Sequence, residues 1–176
     1  MRGCRQRAQA GKVVATLLAT ILVAGCSTVA GIATGTVESP VGGDPVPLNR
    51  AGGQVVATGT VTTAGGAPAA DATVFLLLQA DPAGGVAPGP GDILAQVAVA
   101  AVTTGLDGSF AIHLEPAKVI ADAAAANGGS ANFQLMAFDH WPASGTPAIG
   151  FWSFPLVVSG AGFDGLPEPL AIRLQG

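Results

Sequence analysis

The sequence has no tyrosine, only two cysteines and two histidines, and few charges: Asp, Glu, Lys and Arg together make up 10 % of its 176 residues. Each shortage narrows the chemistry. Cys4 and Cys26 both lie near the N-terminus, so the remaining 150 residues hold no disulfide, thiolate ligand or thiol nucleophile, and their stability must come from an apolar core. His113 and His140 are far apart in sequence. A metal centre needs three or more convergent N, S or O ligands with recognisable spacing, so no metal and no cofactor is expected. No Gly-x-Ser-x-Gly nucleophile motif occurs, and no paired-carboxylate arrangement is evident, so no enzyme is expected.

The charges that are present are unevenly placed. Arg2, Arg5, Arg7 and Lys12 are four of the seven basic residues, whereas every acidic residue lies after position 26. From Cys26 onward three basic residues face eleven acidic ones, a formal charge of −8. Such a surface repels phosphate backbones, and nucleic-acid binding is not expected.

The basic N-terminus is followed by an uncharged stretch over 13–25, which ends in Leu22-Val23-Ala24-Gly25-Cys26. A membrane span needs about 20 apolar residues; this stretch has the length of a signal-peptide h-region. An aliphatic residue, small residues and then Cys resemble a lipobox. The expectation is a lipoprotein signal peptide over 1–25, with Cys26 acylated (diacylglycerol and palmitate-type chains). That address is a membrane-anchored position on the extracytoplasmic face of a cell envelope. There is no twin-arginine pair, which favours the general secretion route.

Residues 26–53 are rich in Gly, Pro, Ser and Thr and show no sustained period, and they read as a flexible tether. A β-sandwich domain is expected over 54–176. Seven β-type runs stand between turn signals, at 55–63, 72–79, 94–103, 109–114, 132–139, 148–158 and 170–174. Phe110, Ile112 and Leu114 alternate with Ala111 and His113, as a half-buried strand requires, and Asp107-Gly108 is a strong turn. One segment differs. Pro116 followed by Lys118 to Ala126, ending at Asn127-Gly128-Gly129, predicts a short helix over about 116–126 that crosses between the sheets or covers an open end. The fold class is therefore all-β, a seven-stranded sandwich with one added helix. The long 81–92 loop is rich in Gly and Pro, and is either a functional loop or a passive connector.

Two motifs point further. Gly59-Thr60-Val61, Gly66-Ala67-Pro68 and Asp71-Ala72-Thr73-Val74 form the first. Thr104-Gly105-Leu106-Asp107-Gly108-Ser109-Phe110 forms the second. Together they resemble the carboxypeptidase regulatory-like domain, a transthyretin-like (prealbumin-like) sandwich also similar to Cna-B and Ig-like modules. The resemblance spans about 59–139. It implies a non-catalytic spacer or interaction module. Gly105 replaces the acidic residue common after the Thr, which argues against a calcium loop. Two enzyme types share this architecture. The intradiol dioxygenases hold iron with Tyr and His, and this chain has no Tyr; the urate-pathway hydrolase ends in Tyr-Arg-Gly-Ser, and this chain ends in Arg173-Leu174-Gln175-Gly176.

Among the remaining candidates, 160–165 spells Gly-x-Gly-x-x-Gly, but Pro167 and Pro169 come after it where a dinucleotide site needs a helix. His140 beside Asp139 is the more distinctive histidine. Trp141, Trp152, Phe154 and His140 form the candidate binding patch. Alternation sets Phe151 and Ser153 on one face of their strand and Trp152 and Phe154 on the other. One pair is expected in the core, and core on both faces, under the helix or a neighbouring strand, is favoured over an exposed second pair. The partners expected are the membrane, through the lipid, and an envelope protein; a small ligand or glycan on the Trp141/Trp152 region is the alternative.

Overall fold

The computed structural model describes residues 35–50, 52–80, 95–142 and 145–176. The expected signal peptide, Cys26, the first part of the tether and the 81–92 loop lie outside the described residues.

The chain forms an all-β sandwich of two sheets. In order, the elements are β1 (Gly35–Val37), β2 (Val46–Leu48), β3 (Gln54–Thr62), β4 (Thr73–Ala80), β5 (Ala95–Thr103), β6 (Ser109–Leu114), α1 (Lys118–Ala126), β7 (Ser130–Phe138), β8 (Ile149–Ser159), β9 (Gly162–Asp164) and β10 (Leu170–Arg173). The larger sheet runs β1-β2-β5-β4-β7-β8-β9, and the smaller runs β10-β3-β6. The seven strands expected from the sequence are the seven longest apart from their end residues. β1, β2 and β9 are additions of three residues each.

The strand at the centre explains why the additions are needed. Val74 to Leu78 in β4 is an unbroken apolar run, fully buried at every position. Alternation sends Val74, Leu76 and Leu78 inward, where they join Val56, Val61, Ile112, Phe133 and Leu135 in the core between the sheets. Phe75 and Leu77 point the other way. They need a second cover, and residues 35–50 supply it. Val46 is buried in one cluster with Phe75, Leu77, Ala101 and Phe138, and Val37, Val41, Leu48 and Trp141 pack around it. The hairpin is fastened to the sheet edge: the Asn49 N–H donates to Ala101 O at 2.9 Å, and the Thr103 N–H donates to Asn49 Oδ1 at 2.9 Å. The tether reading is thus corrected from Gly35 onward. A segment without periodicity is folded here because a buried apolar surface elsewhere in the chain recruits its few valines and leucine.

The helix forms where expected. Pro116 precedes it, and the Gly129 N–H closes its end on Ala124 O at 2.7 Å. Ile120 and Ala124 are its buried residues and belong to the inter-sheet core. The helix connects β6 of the small sheet to β7 of the large one, and so closes one end of the sandwich as it crosses.

The resemblance motifs form one hydrogen-bonded knot. The Thr104 hydroxyl, nearly fully buried, donates to Ala69 O at 2.6 Å and accepts from the Ala72 N–H at 2.9 Å. In the next turn Asp107 Oδ1 accepts from the Ser109 N–H at 3.0 Å and from its hydroxyl at 2.6 Å. The Ser109 hydroxyl and then its N–H hold the Asp107 carboxyl below its ordinary pKa. Gly108 has φ +74° and lies against Val61 O, so a side chain there would meet both a strained backbone and a clash.

Candidate binding face

The sequence-derived patch does not exist as one surface. Phe154 is buried and stacks on Phe133 in the inter-sheet core, with ring centroids 6.2 Å apart. Trp141 belongs to the opposite side of the large sheet. Its ring lies 5.7 Å from Phe75 and 4.5 Å from Phe138, and its indole N–H donates to Glu38 O at 2.8 Å. Trp141 therefore locks the 35–50 segment onto the sheet. Trp152 shares the inward face with Phe154 but is 47 % exposed, since three strands cannot cover all seven. Alternation places Trp152 and Phe154 on one face, as expected; they do not join Trp141 in a patch because Trp141 packs on the other side of the large sheet and Phe154 is core.

His140 has a structural setting. Its Nδ1 lies 2.6 Å from Asp139 Oδ1, which also accepts from the Ala148 N–H at 3.1 Å. The Asp139 N–H in turn donates to Ala148 O at 3.1 Å. The pair closes the base of the 139–148 connection, and the Trp141–Pro142 peptide bond within it is cis. Among the described residues no group of three or more His, Cys, Asp or Glu could hold a metal ion. His113 sits half-buried on β6, its main chain paired with Val55. The 160–165 glycine motif spans the β8–β9 turn, β9 itself and Gly165, and the chain then reaches β10 with no helix between.

The strand register brings together a set of residues that the sequence reading missed. On the outer face of the large sheet Gln79 stands between Gln96 and Asn132, and Leu77 between Ala98 and Gln134. One strand further, Asn132 faces Pro155, Gln134 faces Ser153 and Met136 faces Phe151. Four side-chain amides from three strands thus share one side, flanked by Ser153, Pro155 and a Phe151 that is 53 % exposed. The Gln96 amide donates to Gln134 Oε1 at 2.7 Å, diagonally across β4. None of these residues is ionisable. Beside them lies a groove of about 440 Å³ between residues 41–47 and 96–98, and Gln96 belongs to both. Asp44 is the one ionisable residue of its lining among the described residues.

The amides went unseen because each stands alone in sequence, at the end of β4, near the start of β5, or in alternation with Phe133 and Leu135 on β7. Only the register makes them neighbours. The Asn132-x-Gln134 alternation was the one local signal.

An amide carries both donors and acceptors in one plane, and an exposed ring offers an apolar face. This surface can therefore hold a neutral, hydroxyl-rich molecule. Compared with known proteins, the chain matches no family model, no curated protein and no solved structure.

Proposed function

We propose that this chain is a non-catalytic lipoprotein of a cell envelope, a binding or spacing module held at the extracytoplasmic membrane face by acyl chains on Cys26. The observation that carries the reading is the N-terminal series of a basic segment, a 13-residue uncharged stretch and Leu-Val-Ala-Gly-Cys. A β-sandwich free of disulfides, with no assembled catalytic group among its described residues, is compatible with that role. So is the resemblance of 59–139 to carboxypeptidase regulatory-like modules.

Under this reading Gly35, the first described residue, comes only nine peptide steps after the anchor. At about 3.3–3.6 Å per residue, the domain stands within roughly 30 Å of the bilayer surface. Among the described residues no helix is long and apolar enough to cross a membrane, so the acyl chains would be the attachment. Fractionation tests the reading. The chain expressed in a bacterial host should sediment with membranes and enter the detergent phase on phase separation. Cys26→Ala should move it to the soluble fraction. Equal membrane retention of that variant would refute the anchor.

A further inference from the structure

We infer that the outer face of the large sheet is a binding platform for a neutral polysaccharide strand, with Gln79, Gln96, Asn132 and Gln134 as the hydrogen-bonding row and Phe151 as the stacking residue. The inference deepens the binding-module reading by naming a ligand class and a site. It does not depend on the lipid anchor.

The chemistry of the face selects the occupant. A sugar hydroxyl both donates and accepts, and so does each amide, whereas a carboxylate or ammonium does only one. The Gln96–Gln134 bond uses one donor and one acceptor and leaves the second N–H of Gln96 and both N–H groups of Gln134 available, while holding both side chains in a fixed orientation. Preorganised amides lose less side-chain entropy when a ligand arrives than free ones do.

Geometry agrees with this chemistry. Neighbouring strands lie about 4.8 Å apart, so amides on β5, β4 and β7 repeat across the sheet at intervals comparable to one sugar unit along a chain. Phe151, paired with Met136, stands one strand beyond β7. The row Gln96–Gln79–Asn132 ends on β8 at Pro155, and Phe151 lies four residues along that strand. Its exposed ring can therefore stack on the apolar C–H face of a pyranose in a polymer that crosses diagonally from Gln96 over Gln134. The groove beside Gln96 extends the platform at the other end, and its volume lies within the usual range for small-ligand sites, roughly 300–1,000 Å³.

Charge excludes the main competitors. Among the described residues the face has no cation to neutralise an acidic polymer, and Asp44 at the groove disfavours one while still accepting hydroxyl hydrogen bonds. A partner protein would gain little there, because half-buried amides do not provide the apolar centre that protein interfaces use.

Affinity electrophoresis of the full-length chain in a polyoxyethylene detergent tests the inference. The native gels would contain glycogen, laminarin, galactomannan or, as the acidic comparison, alginate. The expected result is retardation by at least one neutral polymer and none by alginate. Phe151→Ala should weaken that retardation about tenfold, and Asn132→Ala or Gln79→Ala about fivefold, with circular dichroism and melting temperature unchanged. Failure of all three neutral polymers to retard the chain would overturn the inference, and the amide row would then be an ordinary solvated face. Unchanged retardation of the variants, or equal retardation by alginate, would also overturn it. None of these outcomes bears on lipidation, which is read separately by fractionation and mass.

Discussion

The side chain of Gln54 pairs with the main chain of Phe163 as a neighbouring strand would. Its Nε2 donates to Phe163 O at 2.7 Å, and its Oε1 accepts from the Phe163 N–H at 2.9 Å. Gln54 opens β3 in the small sheet and Phe163 lies in β9 of the large one, so one amide joins the two layers where no backbone ladder does. Phe163 in turn packs edge-on against Phe133 in the core. Removing the amide leaves a partly buried N–H and C=O without their partner. Gln54→Ala is expected to cost about 2 kcal/mol, read as a lower urea midpoint at unchanged slope. A Cβ on Gly162, whose φ is +139°, would fall 2.5 Å from Gln54 Oε1. Gly162→Ala should therefore destabilise as well, and the double variant should lose less than the sum of the two single losses.

Thr104 offers a sharper case, because both of its hydrogen bonds are buried. Thr104→Val keeps the shape but leaves Ala69 O and the Ala72 N–H without the hydroxyl. A loss of about 2–3 kcal/mol is expected in chemical denaturation. Thr104→Ser should recover more than half of it.

The role of residues 35–50 is open to a direct test. If they are a tether, deleting them leaves the domain unchanged. If they are the cover for Phe75 and Leu77, a chain starting at Gly53 exposes that surface, binds a hydrophobic dye such as ANS and aggregates. The second outcome is expected. Trp141→Ala should reproduce part of it, costing about 3 kcal/mol.

Asp107 sets an acid limit on the turn after β5. Its folded pKa lies below its unfolded value of about 3.9, so the ionised carboxylate favours the folded state. That contribution is fully present above the unfolded pKa and is lost as the pH falls through the folded one. The advantage of the wild type over Asp107→Asn should therefore be constant from pH 6 to pH 8 and shrink below pH 4, measured by urea midpoints at each pH.

How far the sequence was legible depends on where the information sits. The seven long strands and the helix rest on local signals: alternation such as Phe110-x-Ile112-x-Leu114, and stops such as Asn127-Gly128-Gly129. β1 and β2 carry no such signal. Val37, Val41, Val46 and Leu48 are irregularly spaced, and only Phe75 and Leu77 give them a reason to be buried. The sign of a missing cover lay in β4, whose five consecutive apolar residues cannot all face one neighbouring sheet. The binding face was less legible still. Phe154 and Trp152 were assigned to one side of β8 by alternation, yet one is core and the other half-exposed, because the extent of the opposing sheet is not a local property. The amide row depends on two strand registers at once, β4 with β5 and β4 with β7.

The central claim is that Cys26 begins the mature chain and carries lipid. Intact-mass spectrometry of the protein purified from bacterial membranes reads both facts together. The expected mass is that of residues 26–176 plus a diacylglyceryl group, with any N-acyl chain added to it. A mass for the chain beginning at Met1, or for residue 26 with an unmodified thiol, would contradict the account.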